Sequence, residues 1–410
     1  QPQKAFLFPF IADPPTSTLQ RLKGITAGNL PTFIDIGSNF AGQATEEDNI
    51  LVQLKNQNKT IVHLGDDTWH SLFPGYFNEN LTHAYDSFNV WDLHTVDNGV
   101  IEHIFPLLSG QLDQNWDIIF GHFLGVDHAG HRYGPDHPAM GEKLRQMDDV
   151  IKQISQSIDD DTVLVIMGDH GMDAEGDHGG ESDDEVEATL WVYSNRPVFG
   201  RFTNNEVQPP TTAKDRPVQQ IDLVSALSLL LGLPVPYNNL GMPIPEAFLR
   251  NLPADEKDME NLAKVNLLVF EQMQKYQARY AESRDFREND DLVSLRSQLG
   301  ASKTLGPHVN KLFSDWHSQT VHMYRQLWAN FDLQDMAIGV GVLLLGLLSL
   351  VVLAQLAAPD CGNNLPVILR NTAKFEPMSI NVGRLPAVIP LSRCNVLVGG
   401  SAINGNKKAF

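Results

Sequence analysis

Four short apolar runs, rich in β-branched and aromatic residues, alternate with helical patterns, and this alternation restricts the fold more than any other feature of the chain. The runs are TIVHLGDD at 60–67, WDIIFGHFLGVD at 116–127, DTVLVIMGDH at 161–170 and ATLWVYS at 188–194. Between the second and third, GEKLRQMDDVIKQISQSI at 141–158 sets Leu144, Met147, Ile151, Ile154 and Ile158 at helical spacing. Strands interleaved with helices predict an α/β fold with a largely parallel sheet and flanking helices. Ligands of such sheets gather outside the carboxyl ends of the strands. Two of the runs end there on Gly-Asp.

This pattern fills residues 1–250. IDLVSALSLLLGLPVPYNNLG at 221–241 reads as a helix stopped by Gly232 and Pro234. From about 252 the glycines thin out and long helical stretches follow, expected over 251–335 as a helical connector or stalk, with a subdomain packed on the sheet as the alternative. Met336 to Ala358 carries no charge over about 23 residues, enough at 1.5 Å per residue to cross a hydrocarbon core of roughly 30 Å, so one transmembrane helix is expected. Residues 359–410 show no sustained period and are expected to form an irregular tail. That tail carries Arg370, Lys374, Arg384, Arg393, Lys407 and Lys408 against Asp360 and Glu376, which places it in the cytosol and the acidic part in a lumen. Two glycosylation sequons, Asn58-Lys59-Thr60 and Asn80-Leu81-Thr82, agree. The opening QPQKAFLFPFIADPP lacks the charged and long apolar regions of a signal peptide.

A formal charge of −20 argues against nucleic acid as a partner. The two cysteines, Cys361 and Cys394, leave the first 360 residues without thiolate, so a metal there must be held by His and carboxylate. The candidates lie in the loops. GVDHAGHRYGP places Asp127 and His131 four apart, one turn of helix, on one face. VLVIMGDHGMDAEGDHGG holds two copies of Gly-Asp-His-Gly, with Asp169 and His170 in the first and His178 in the second. Each pair alone fits an ordinary turn. Together, at strand exits among glycines, they read as a metal site whose oxygen and imidazole donors suit Zn²⁺ better than Mn²⁺. His128 reads as a loop residue. In DPPTSTLQRLKGITAG, hydroxyls open a helix; they fit caps, but the same place favours a phosphate, and a threonine there can serve as a nucleophile.

The stretches DPPTSTLQRLKGITAGNLPTFIDIGSNFAG, GDDTWHSLFPG, FNVWDLHTVDNGV, HFLGVDHAGHRYGPDHP and GDHGMDAEGDHGGES resemble the GPI ethanolamine phosphate transferases, in the phosphodiesterase-like branch of the alkaline phosphatase superfamily. The resemblance covers roughly residues 4–245 and implies an alkaline-phosphatase-like domain. It implies two zinc ions, one held by Asp127, His131 and His178, the other by Asp169, His170 and the nucleophile. That nucleophile is Thr18 by its distance from ITAG, with Thr16 as the fallback. It further implies transfer of phosphoethanolamine from phosphatidylethanolamine to a mannose hydroxyl of a GPI-anchor glycolipid. The GDHGG form points to the third mannose. The expected place is the endoplasmic reticulum membrane with the catalytic domain lumenal, and a small membrane-protein subunit is an expected partner. Hydrolysis of the same substrate and a catalytically inactive truncated form are the alternatives. The chain departs from the family in one ligand: the D-A-L-R-x-D-F strand that carries the remaining zinc carboxylate does not precede DPPT, and Asp13 lies in the loop leading to the nucleophile. The chain is accordingly expected to be truncated at its N-terminus and in the membrane region. GDDTWHSLFPG and Asn98-Gly99 read as turns.

Overall fold

Every second residue of the first strand is a phenylalanine that the core absorbs: Phe6, Phe8 and Phe10 of β1 (Ala5–Ile11) are buried. The structure is a computed structural model that describes residues 2–31, 44–87, 89–110, 115–202, 216–283, 290–302, 304–329 and 333–361. The expected tail from 362 onward lies outside these residues, as does the TFIDIGSNFAG stretch at 32–42. The chain divides into two units, Gln1–Trp328 and Ala329–Phe410.

In the first unit β1 pairs antiparallel with β6 (Glu187–Ser194), from Ala5 opposite Tyr193 to Ile11 opposite Glu187. Its other edge pairs parallel with the short β7 (Val218–Gln219), while β5 (Val163–Met167) pairs antiparallel with β6. A second sheet sets β2 (Ile61–Asp66) between β3 (His83–Tyr85) and β4 (Ile118–Gly121), all parallel. One largely parallel sheet was expected; two sheets form, and the larger is mixed. Connections explain the difference. Between β3 and β4 runs a full helix, which returns the chain in the same direction. Between β5 and β6 the only regular element is a single helical turn, Asp183–Val186, so the chain folds back.

Helices cover the sheets. Leu22 and Ile25 of α1 (Thr18–Ala27) share a core with the β1 phenylalanines and with Ile50, Leu51 and Leu54 of α2 (Ile50–Asn56). Trp69 and Leu72 of α3 (Thr68–Leu72) join them. Val62 and Leu64 of β2 pack with Val100 and Ile104 of α4 (Thr95–Leu108) and with Val150 and Ile154 of α6 (Pro138–Ser157). The nine-residue helix α5 (Gly125–Tyr133) lies between them in the chain, just after β4. After α7 (Asp183–Val186) and β6 comes α8 (Gln220–Leu230).

The stretch expected as a stalk packs instead. Helices α9 (Glu256–Ser283), α10 (Asp290–Ala301) and α11 (Pro307–Ala329) enclose Val269, Met273 and Trp316 together with Ile221 of α8, Leu240 and Met242. Arg325 of α11 bonds Asp13 through Nε at 2.6 Å and Nη2 at 3.3 Å. Their apolar stripes are wide enough to need a partner, and the α/β part supplies it.

In the second unit α12 (Leu333–Cys361) contains the apolar run. Among the described residues no helix is long and apolar enough to cross a membrane. The side chains described in α12, Met336–Val352, span roughly 25 Å at 1.5 Å per residue, and the rest of the expected span, 353–358, lies outside them.

Candidate metal centre

Two segments at strand ends, helix α5 after β4 and the loop after β5, meet around one carboxylate. Asp127 stands in the first turn of α5, directly beyond β4, and His131 one turn later. Oδ1 of Asp127 lies 3.5 Å from His131 Nε2 and 3.3 Å from His178 Nε2. The rings of His170 and His178 stack at 3.7 Å. Donor atoms of Asp127, His170 and His178 all fall within 4.8 Å of one another, so this group could hold a metal ion. Asp169 places Oδ2 3.4 Å from His170 Nε2. The Oδ1 of Asp127 and the Oδ2 of Asp169 are buried and make no hydrogen bond. An orphaned buried acceptor is costly, and a cation is the ordinary remedy.

Backbone carbonyls aim the imidazoles. His178 Nδ1 donates to Thr16 O at 2.8 Å, and His170 Nδ1 to Gly171 O at 2.8 Å. A proton on Nδ1 leaves Nε2 as the lone-pair nitrogen, on the side where the carboxylates lie. His131 Nδ1 lies 3.2 Å from Asp177 Oδ1. Burial works against charge on Asp127, yet the imidazoles of His178, His131 and His170 beside it hold its carboxyl below the usual range. Burial likewise works against charge on His178, and Asp127 pushes it up.

Close packing of the loops depends on missing side chains. A Cβ on Gly176, whose φ is +86°, would sit 2.2 Å from Gly130 O of α5. That contact lets the second Gly-Asp-His-Gly reach Asp127.

The two threonines separate. Thr16 is fully buried; its Oγ1 donates to Gly180 O at 3.1 Å and accepts from Gly179 N at 2.8 Å. It fastens the His178 loop, and its hydroxyl is spent. Thr18 begins α1 and is half-buried. Asp13 is taken by Arg325 and is no metal donor. His128 lies on α5, not in a loop, and its Nδ1 ties that helix to Asp92 O at 3.0 Å. Asn98 and Gly99 lie inside α4, not in a turn; a Cβ on Gly99 would strike the Tyr85 ring.

Three features escaped the sequence reading. Asp97 of α4 accepts from the N–H groups of Leu124 and Gly125, both at 3.0 Å, and so fixes the start of α5; Lys143 of α6 meets its other oxygen at 2.8 Å. Arg21 of α1 is buried with Nε and Nη2 unpaired, faces Asp13 and Asp169, and is pulled down to about 10 by burial. Asp66, read as part of a turn, ends β2 and pairs with His122 at 2.6 Å. No periodicity or spacing marks Asp97 or Asp66, because their partners Leu124, Lys143 and His122 are 27, 46 and 56 residues away in the chain.

The chain is 43% identical over 378 residues to GPI ethanolamine phosphate transferase 3 of Schizosaccharomyces pombe, covering 92% of this chain and 38% of that protein. Over most of its own length the chain is similar to the GPI ethanolamine phosphate transferases. To the type 3 transferase of Saccharomyces cerevisiae it is 45% identical over 88% of its length and 35% of the relative, and to the human catalytic subunit of type 3, 38% over 98% and 37%. It thus spans little more than a third of these relatives. Residues 29–200 match the family described as type I phosphodiesterase / nucleotide pyrophosphatase, which takes in the ligand loops of α5 and β5. Among solved structures, an alkaline phosphatase superfamily protein from Vibrio parahaemolyticus aligns at a TM-score of 0.39 and 14% identity, over 59% of this chain and 61% of that one.

Proposed function

We propose that this chain carries the catalytic centre of a phosphoethanolamine transferase that moves the group from phosphatidylethanolamine to a mannose hydroxyl, that of the third mannose, of a GPI-anchor glycolipid. The observation that carries the reading is the convergence of Asp127, His170 and His178, with His131 and Asp169 against them, on buried oxygens that lack a partner. Asp127, His131 and His178 would hold one zinc, and Asp169, His170 and Thr18 would belong to a second. The donor set of carboxylate and imidazole fits that ion. Bound zinc would lower the pKa of the Thr18 hydroxyl and offset charge on the phosphoryl oxygens.

Thr18 is the nucleophile because Thr16 is consumed by the His178 loop. Thr18 attacks phosphorus, diacylglycerol departs, and the mannose hydroxyl then takes the phosphoethanolamine. Location at the endoplasmic reticulum membrane with this domain lumenal follows from the substrates and from the charge of the tail; α12 is the candidate span. Asn58 and Asn80, the sequon asparagines, are both exposed.

The test supplies the zinc-loaded full chain with phosphatidylethanolamine vesicles and a mannosylated GPI precursor. Modified glycolipid lost in Thr18→Ala supports the reading. Free phosphoethanolamine without modified glycolipid would assign hydrolysis. Neither product, with one metal ion or fewer per chain, would assign the inactive form.

A further inference from the structure

The ring of His122 stands just beyond β4, and everything around it holds one nitrogen in place. Nδ1 lies 2.6 Å from Oδ1 of Asp66, a carboxylate only 1% exposed. The other Asp66 oxygen accepts from Thr68 N at 3.3 Å. Trp69 lies edge-on to the imidazole at 6.2 Å, with its Nε1 3.2 Å from Nδ1. One nitrogen cannot both donate to a carboxylate and accept from an indole, and the shorter contact to an anion decides for donation. Gly65 makes room: a Cβ there would lie 2.6 Å from His122 O and 2.9 Å from His122 Cβ. Among the described residues nothing bonds Nε2, on the other side of the ring.

The ring stands among acidic groups. Asp127 from α5 and Asp169 from the loop after β5 act on the ring besides Asp66 of β2. His63 of β2 also faces it, but burial pushes His63 down to about 3, so it adds no charge at neutral pH. Burial disfavours the His122 cation, yet the charge of Asp66 and its bond to Nδ1 push it up. An imidazolium with Nδ1–H on a buried carboxylate has one mobile proton, on Nε2.

We infer that His122, oriented by Asp66, is the proton donor to the oxygen that leaves phosphorus and the proton acceptor from the hydroxyl that replaces it. This assignment rests on the transferase reading of the metal centre. In the first displacement the Oγ of Thr18, as its alkoxide, bonds phosphorus while the bond to the glyceride oxygen breaks. That oxygen keeps the electron pair, takes the Nε2 proton and departs as an alcohol, leaving His122 neutral with Nδ1–H still on Asp66. In the second, the mannose hydroxyl gives its proton to Nε2, its oxygen bonds phosphorus, and the P–Oγ bond breaks to restore the Thr18 alkoxide and the imidazolium. Leaving group and acceptor occupy the same position opposite Thr18 in two in-line steps, so one histidine serves both.

Leaving-group dependence tests this in the zinc-loaded full chain. Two phosphoethanolamine diesters are compared: a short-chain glyceride ester, whose alkoxide needs a proton to leave, and a p-nitrophenyl ester, whose phenolate does not. His122→Ala should cost about 10²–10⁴-fold on the glyceride ester and at least about tenfold less on the nitrophenyl ester. Asp66→Asn should show the same pattern with a smaller loss. His122→Gln, matched to the parent in zinc content and unfolding midpoint, guards against misfolding. Equal losses on both esters would overturn the assignment and leave the transferase reading intact. A parent chain inert on both esters would overturn the transferase reading itself.

Discussion

Lys143→Met removes the cation from a buried pair and leaves Asp97 charged in the interior. The contact is 2.8 Å, and the two side chains are 2% and 0% exposed. At an effective dielectric of about 20 the attraction at that distance is about 6 kcal/mol before desolvation is counted. Desolvation cancels much of this while both ions are present, but not when one is removed, and the expected loss is about 3–5 kcal/mol. Urea unfolding of the full chain measures it; with a slope of about 3 kcal/mol/M the midpoint should fall by roughly 1 M or more. Asp97 also holds the N–H groups that open the ligand helix α5. Zinc binding should therefore weaken by about 10–100-fold, as for other supports of ligand geometry. Asp97→Asn keeps an acceptor for those N–H groups and removes the charge. The double variant should cost at least about 2 kcal/mol less than the sum of the singles. A loss under about 1 kcal/mol for Lys143→Met, or simple additivity in the double variant, would refute the reasoning.

Thr16→Val should cost about 0.5–1.5 kcal/mol of stability for each of the two bonds that its hydroxyl makes to Gly179 N and Gly180 O; Thr18→Ala should abolish turnover with an unchanged unfolding midpoint. His63, fully buried and pushed down to about 3, binds a proton in the unfolded chain near 6.5 but not in the folded one, so its contribution is present above 6.5 and is lost as pH falls toward 3. By pH 4 the loss is on the order of 3 kcal/mol, and His63→Leu should flatten this acid limb of a urea-midpoint-against-pH profile. His122 runs the opposite way: its contribution is complete below 6.5 and disappears as pH rises through about 9. Zinc at about a hundredfold above its dissociation constant should raise stability by about 2.7 kcal/mol, an increment that Asp127→Asn reduces and a chelator removes.

Local pattern was a sound guide wherever structure depends on near neighbours. The strands at 61–66, 163–167 and 187–194 and the helix at 138–157 lie where apolar periodicity placed them. Asp127 and His131 share a helix face because four residues make about one turn. The pairing of strands was less legible, since the direction of β6 depends on a loop that folds back over its own ligands. The helices of 256–329 show apolar stripes in the sequence, but a stripe does not say whether it meets the sheet or another helix.

The residue types and their spacing determined that this chain carries strand-end loops of Asp and His, without thiolate, after a helix-opening threonine, and its motifs resemble those of the GPI ethanolamine phosphate transferases. Only the tertiary structure decided that Thr16 is a latch, that Asp13 answers to Arg325, that Asp66 is a support rather than a turn residue, and that Asp97 fixes the start of α5. Those roles come from contacts between residues distant in the chain. Burial gives such contacts their energy, and burial depends on which surfaces the whole fold brings together.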